Sequence, residues 1–457
     1  FLCWQSEIVA EYKRVDQFIM HCFMPSVQNI DQIASAAKMD MMAVNIYHGQ
    51  QDDLTGNEIA FAGDYFRSVK GNNYLVTETN AQTIGWTSKT QQPPYPGQMR
   101  QNVYAHIGSG ANMVEYWHWH SIHYGQEIYW KGVLSHALQA DRAYAEVSET
   151  AHELQKFGTK LVNLRKENEV AILFSHDSHD ALNFMPFNGS GPDWSESTNN
   201  AYRNQLVAQF HKVLYQHNIG VDFIFPQNLD LAKYKLVIIP SLYVASDHLL
   251  EQINEYIRNG GHVIMQFKSG FSDENSMVRP VIAPGPLREA CGFYYQEFSN
   301  IKTLPLKDNP FEVEENSATD WMEYIIPETA EVLAYYDHPY FSAYPAVTIN
   351  EYGKGTLLYE GSIFSDQIQT KIIQEAIIRA GIENPDHQFA WPLIAKSGIN
   401  EEKNAVHFYY NYSSAAIEFV YPHSAGEELV TEESIEKGAL LSVAPWDVLI
   451  VEENGTR

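Results

Sequence analysis

The chain has 457 residues, more than one ordinary hydrophobic core organises, so two to four domains are expected. With 57 acidic against 30 basic residues and a formal charge of −27, it would repel phosphate backbones and anionic membranes, which excludes nucleic acid as a partner. An apolar share of 45% excludes a disordered chain, and no run of about 18 apolar residues is present to span a bilayer.

From residue 1 to about 165 short apolar strands alternate with helical patterns, the signature of parallel βα units. Strands are predicted at Phe18–Met24, Met41–His48, Tyr74–Thr77 and Ala111–Trp117. Each is followed by a helix or loop, the helices falling at Ile30–Lys38, Glu58–Val69 and Gly97–Ser109. The third strand ends in Glu78. In a (β/α) barrel the chemistry sits at the C-terminal ends of the strands, so a carboxylate there is a candidate nucleophile, although a lone Glu could equally cap the next helix. Four such units make half of an eight-fold barrel.

From Glu169 the rhythm becomes that of an open, doubly wound α/β sheet. Its strands are predicted near 170–174, 221–225, 235–240 and 260–267, with helices over 202–218 and 247–259. Neither Gly-x-Gly-x-x-Gly nor a P-loop occurs, so no nucleotide site is expected. After about residue 385 short alternating strands, such as 405–412 and 447–452, lie between Gly, Ser, Asn and Pro turns and predict a small antiparallel β domain. The expected division is therefore 1–165, 166–385 and 386–457.

The three cysteines, Cys3, Cys22 and Cys291, show no metal or disulfide spacing, and a reducing, cytoplasmic setting fits them. Phe1 opens a segment with no basic region and no initiator Met, which reads as neither a signal peptide nor a natural start; the chain is expected to be part of a longer one. His118, His120 and His123 could present two imidazoles to one metal. No third ligand is in register with them, so they are read as hydrogen-bonding residues and no metal site is assigned.

The run Asn73-Tyr74-Leu75-Val76-Thr77-Glu78-Thr79-Asn80-Ala81-Gln82 is followed by Gly85-Trp86. Together with Gly110 to Glu127 and Trp130-Lys131-Gly132-Val133-Leu134-Ser135-His136, it resembles the β-galactosidases of glycoside hydrolase family 42. That resemblance implies a retaining glycosidase releasing terminal β-D-galactose, built as a catalytic (β/α)8 barrel, an amidotransferase-like trimerisation domain and a small β domain. The present chain would supply barrel strands five to eight and assemble as a homotrimer, with no cofactor and any metal confined to an N-terminal part. Glu78 takes the place of the family's nucleophile, Trp86 that of the tryptophan packing on galactose, and Glu127 that of a glutamate binding sugar hydroxyls. Tyr47 would sit beside the nucleophile, and His118 and His120 on the wall of the sugar site. Trp130 stands where several members have His, which implies stacking instead of a polar contact.

The acid/base Glu, which in the family follows an Asn at the end of strand four, has no counterpart. Among the Asn-Glu pairs Asn57-Glu58, Asn168-Glu169, Asn254-Glu255, Asn350-Glu351 and Asn400-Glu401, none closes a barrel strand. The isolated chain is therefore expected to hydrolyse little. Two rival readings remain: a carbohydrate-binding protein with an inactive barrel, and an amidotransferase-like enzyme acting through Cys291.

Overall fold

A computed structural model describes residues 1–25, 30–188 and 201–455. The chain divides into two compact units. One comprises residues 1–167, 215–220 and 384–457, and the other 168–214 and 221–383.

In the first unit, a helix α1 (Leu2–Tyr12) precedes four parallel strands in the order β1 (Cys22–Phe23), β2 (Ala43–Ile46), β3 (Tyr74–Asn80) and β4 (Ala111–Trp117). Helices α2 (Gln32–Ala36), α3 (Asn57–Lys70) and α4 (Gln98–Gly108) connect them, and α5 (Arg142–Phe157) follows. Every residue of β2 is buried, as expected of a strand covered on both faces. Helix α3 stops where Gly71 takes φ 66°, a left-handed cap that costs glycine little. Asp141 starts α5 by accepting from the backbone N–H groups of Ala143 and Tyr144.

Two sequence expectations need correcting here. The strand predicted over 18–24 shrinks to Cys22–Phe23, and Phe18 and Met20 lie exposed ahead of it at the edge of the sheet. Strand β3 runs on past Thr77 to Asn80, so Glu78 lies inside the strand instead of closing it.

Residues 384–457 belong to the same unit because their antiparallel sheet packs on α3 and α4. Within it Ala405–Asn411 pairs with Leu393–Ile399 and with the central strand, Val448–Glu453. The buried Tyr410 hydroxyl donates to the Tyr104 carbonyl oxygen at 2.7 Å, and Gln101 Nε2 donates to the Asn411 carbonyl oxygen at 2.8 Å. Lys396 reaches Asp64 on α3 at 3.2 Å. Burial holds the Lys396 ammonium below the usual lysine range, against the pull of the Asp64 charge.

The second unit is built on a seven-stranded sheet. Its parallel strands are β5 (Val170–Leu173), β6 (Val221–Ile224), β7 (Leu236–Ile239), β8 (His262–Gln266) and Gly355–Glu360. Pro345–Tyr352 and Glu331–Tyr335 extend one edge in antiparallel fashion, so the sheet is mixed and not purely doubly wound. Strands β5 to β7 are wholly buried, which accounts for the unbroken apolar sequence of β5 and β7; in β6 the buried Asp222 is paired with Lys233 at 2.8 Å. The helix predicted over 202–218 opens as a π-helical segment, Tyr202–Val207, before continuing as α-helix over Ala208–Gln216.

Candidate active site

The parallel strands β2 and β3 bring Tyr47 and Glu78 together. In the pairing of the two strands Val44 faces Val76 but Asn45 faces Glu78, so Thr77 is one residue too many. A bulge of this kind bends a strand and re-aims the side chains around it. Thr77 Oγ1 donates to Asn45 Oδ1 at 2.8 Å, which anchors the bulge. Glu78 is left half-buried, and the Tyr47 hydroxyl, one residue past the end of β2, donates to Glu78 Oε2 at 2.5 Å. Burial, that hydrogen bond and the charges of Glu78 and Glu127 push the phenol far above its ordinary range, so Tyr47 keeps its proton and remains a donor.

Two indole rings close around this pair. Trp86 meets Tyr47 edge-on with centroids 5.3 Å apart, and Trp130 lies 5.1 Å from Tyr47 and 5.7 Å from Trp86. Trp86 is 54% exposed and offers a free apolar face, whereas Trp130 is 1% exposed. The expectation that Trp130 stacks on a sugar is corrected by that burial: its ring is a support that orients Tyr47 and Trp86. Gly85 is required beside it, since a Cβ there would come within 2.2 Å of the Trp130 ring.

Glu127 sits half-buried in a turn after β4, not at a helix start, and its charge acts on both Tyr47 and His118. The chain beyond β4 folds back so that Val133 N–H donates to the His118 carbonyl oxygen at 3.0 Å and Leu134 N–H to that of Trp119 at 2.8 Å. Gln82 Nε2 donates to the Gly132 carbonyl oxygen at 2.8 Å, tying the loops after β3 and β4 together. Burial, and secondarily His120, hold His118 below the usual histidine range, with Glu127 opposing. The His118 and His120 rings are 5.6 Å apart, and His120 Nδ1 lies 2.9 Å from the Ser121 carbonyl oxygen. His123 and His136 likewise turn ring nitrogens to backbone carbonyls. A three-ligand grouping compact enough for one ion does occur among the described residues, but in the C-terminal sheet.

Glu78, Tyr47 and Trp86 thus form one cluster on a Trp130 floor, with Glu127 and His118 in electrostatic reach. Sequence reasoning missed the bulge at Thr77, the Asn45 that pins it, and Asn80, whose Oδ1 accepts from the His48 N–H at 3.2 Å. In the other unit, Cys291 ends a four-residue helix, Arg288–Cys291, and is fully buried, and burial pushes its thiol well up. A buried, protonated thiol is no nucleophile, which removes the basis of the amidotransferase reading. The turn after β8 carries Lys268 at φ 61° instead.

Residues 1–157 match the family model described as beta-galactosidase, and residues 168–383 match the beta-galactosidase trimerisation domain. The chain belongs to glycoside hydrolase family 42. Among relatives, beta-galactosidase BgaB of Geobacillus sp. is 30% identical over 365 residues, which cover 79% of this chain and 52% of the relative. Beta-galactosidase BgaA of Clostridium cellulovorans is 28% identical over 320 residues, covering 70% of this chain and 47% of its own. The chain spans about half the length of these relatives. In fold it is similar to the beta-galactosidase from Bacillus circulans sp. alkalophilus, with a TM-score of 0.86 at 24% identity over 99% of this chain and 66% of that one. No helix among the described residues is long and apolar enough to cross a membrane.

Proposed function

We propose that the chain is the larger part of a retaining β-galactosidase in which Glu78 is the nucleophile. In this mechanism a Glu78 oxygen attacks the anomeric carbon of a terminal β-galactoside, and the aglycone leaves as a general acid protonates its oxygen. Water then hydrolyses the glycosyl ester. Tyr47 is a positioning residue: its hydroxyl holds one Glu78 oxygen and leaves the other free to attack. Trp86 supplies an apolar face for the sugar's C–H groups, and Glu127 accepts from sugar hydroxyls through charge-assisted bonds. His118 and His120 line the wall. The observation that carries the reading is the 2.5 Å bond from Tyr47 to Glu78 beside the open face of Trp86.

The general acid belongs to a carboxylate outside these residues, on a second set of βα units that completes an eight-stranded barrel. Among the described residues β4 has a partner on one side only. Behind it lies a cavity of about 500 Å³ lined by apolar side chains such as Val103, Ile107, Met113, Val147 and Leu154. Trp4, Ile8, Val9 and Tyr12 on α1 are also exposed, as surface meant to be covered would be. The match to a trimerisation domain supports a homotrimer, and three free thiols support a cytoplasmic setting.

The test is hydrolysis of lactose, whose sugar leaving group needs protonation, by the full-length enzyme and by this chain alone. The full-length enzyme turns over and Glu78→Gln abolishes it. The isolated chain, lacking the acid, is slower by about 10² to 10⁴. Sugar binding without hydrolysis by the full-length protein would instead favour an inactive, carbohydrate-binding barrel.

A further inference from the structure

The C-terminal sheet encloses a polar cluster that galactoside cleavage does not use. Asp386 comes from the turn Pro385–Gln388, His407 from strand Ala405–Asn411, and His423 from just past strand Ile417–Val420. Their ligand-capable atoms all lie within 4.8 Å of one another. Asp386 and His407 are buried, and only 12% of the His423 side chain is exposed. His423 Nε2 is 2.9 Å from Asp386 Oδ1, His407 Nε2 is 3.0 Å from Glu453 Oε1, and the two imidazoles lie face to face with centroids 3.8 Å apart.

Among the described residues neither Asp386 nor Glu453 pairs with a Lys or Arg; Asp386 faces His423, while Glu453 faces His407 and accepts from the Ser424 backbone. The fully buried hydroxyls of Tyr409 and Tyr421 feel the charges of Asp386 and Glu453, yet neither has a hydrogen-bond partner among the described residues. Burying the Asp386 carboxylate, a half-buried Glu453 and two unpaired phenols together is costly unless something further binds them.

We propose that Asp386, His407 and His423, with Glu453 as fourth donor, form a structural site for a divalent cation of the zinc class. Two nitrogens and two carboxylate oxygens suit that ion, and two negative charges balance it. A tetrahedral site with bonds of about 2.0–2.1 Å separates its ligands by about 3.3 Å, so the 2.9 and 3.0 Å contacts need open by only a few tenths of an ångström. The stacked rings must also fan apart to bring both Nε2 lone pairs onto one point. Ser397 Oγ, 2.7 Å from His407 Nδ1, can accept from an Nδ1–H and so hold the tautomer that frees Nε2 for the ion. The unpartnered tyrosine hydroxyls then serve as donors to the liganded carboxylates. Such an ion would tie the Asn384–Gln388 turn to the sheet.

The experiment strips the whole chain with EDTA, dialyses it against zinc chloride, desalts it, and measures bound metal by mass spectrometry and the Tm with and without zinc. About one zinc per chain is expected to be retained, with a rise in Tm, since an ion that binds only the folded state stabilises it. Both effects should vanish in His423→Gln and in Asp386→Asn but persist in His123→Gln/His136→Gln, which controls for the exposed histidines after β4. Should either variant fail to fold, cobalt titration of the wild-type chain gives the answer through the intense visible absorption of a four-coordinate ion. Failure of the wild-type chain to retain zinc, retention unchanged in folded variants, or a six-coordinate cobalt spectrum would overturn the proposal.

Discussion

Glu360 ends a strand of the second unit with its carboxyl group fully buried. Gln266 Nε2 donates to one of its oxygens at 3.1 Å and Gln369 Nε2 to the other at 2.7 Å. Burial pushes its pKa up from 4.5 to about 7, the two amide bonds opposing. Because the folded value lies above the unfolded one, the folded state holds this proton more tightly. The associated stability is therefore complete below about pH 4.5 and is lost as pH rises through about 7. At ~1.4 kcal/mol per pKa unit, a rise of that size corresponds to about 3 kcal/mol lost by pH 8. Glu360→Gln is neutral at every pH, and its amide can donate to Gln266 Oε1 or Gln369 Oε1, both of which are buried with no hydrogen-bond partner among the described residues. In urea unfolding, the transition of the 168–383 unit should shift to higher denaturant by the equivalent of about 2–3 kcal/mol at pH 8, and by less than about 1 kcal/mol at pH 5. A variant no more stable than wild type at pH 8, or equally stabilised at both pH values, would refute the reasoning.

Gly85→Ala forces a Cβ to within 2.2 Å of the Trp130 ring and 2.4 Å of its backbone nitrogen. It should lower stability by about 1–3 kcal/mol and raise KM more than it lowers kcat in the full-length enzyme, as Trp86 is displaced; unchanged kinetics would show that the three rings do not act together. Tyr410→Phe removes the buried bond to the Tyr104 carbonyl oxygen and should cost about 1–2 kcal/mol in thermal or urea unfolding of the first unit. Under native conditions iodoacetamide should label Cys22 and Cys3 but spare Cys291 until the chain unfolds, which peptide mass spectrometry reads directly.

Much of the fold is legible in local pattern because parallel strands buried on both faces leave unbroken apolar runs. Val170–Leu173 and Leu236–Ile239 are examples that fall within a residue of the predicted bounds. Phe18–Met24 has the same composition but lies at a sheet edge, where only Cys22–Phe23 pair. Glu78 stands out as a carboxylate in an apolar run, yet the bulge that aims it depends on pairing with Asn45, which no local window contains. Trp130 illustrates the limit for single residues: an aromatic three positions past Glu127 reads equally well as a sugar platform or as packing, and only its burial decides. The Asp386, His407 and His423 cluster is invisible for a related reason. Its members come from a turn and two separate strand regions with no fixed spacing, so tertiary folding alone assembles them. The joining of residues 384–457 to the first unit rests likewise on long-range contacts such as Lys396 to Asp64.

The most direct test of the central claim is to trap the covalent intermediate. Incubating the full-length enzyme with a 2-deoxy-2-fluoro-β-galactoside bearing a good leaving group should leave one fluorogalactosyl ester, and peptide mapping should place it on Glu78. A label on any other carboxylate, or turnover with inversion at the anomeric carbon and no label, would contradict the assignment of Glu78 as nucleophile.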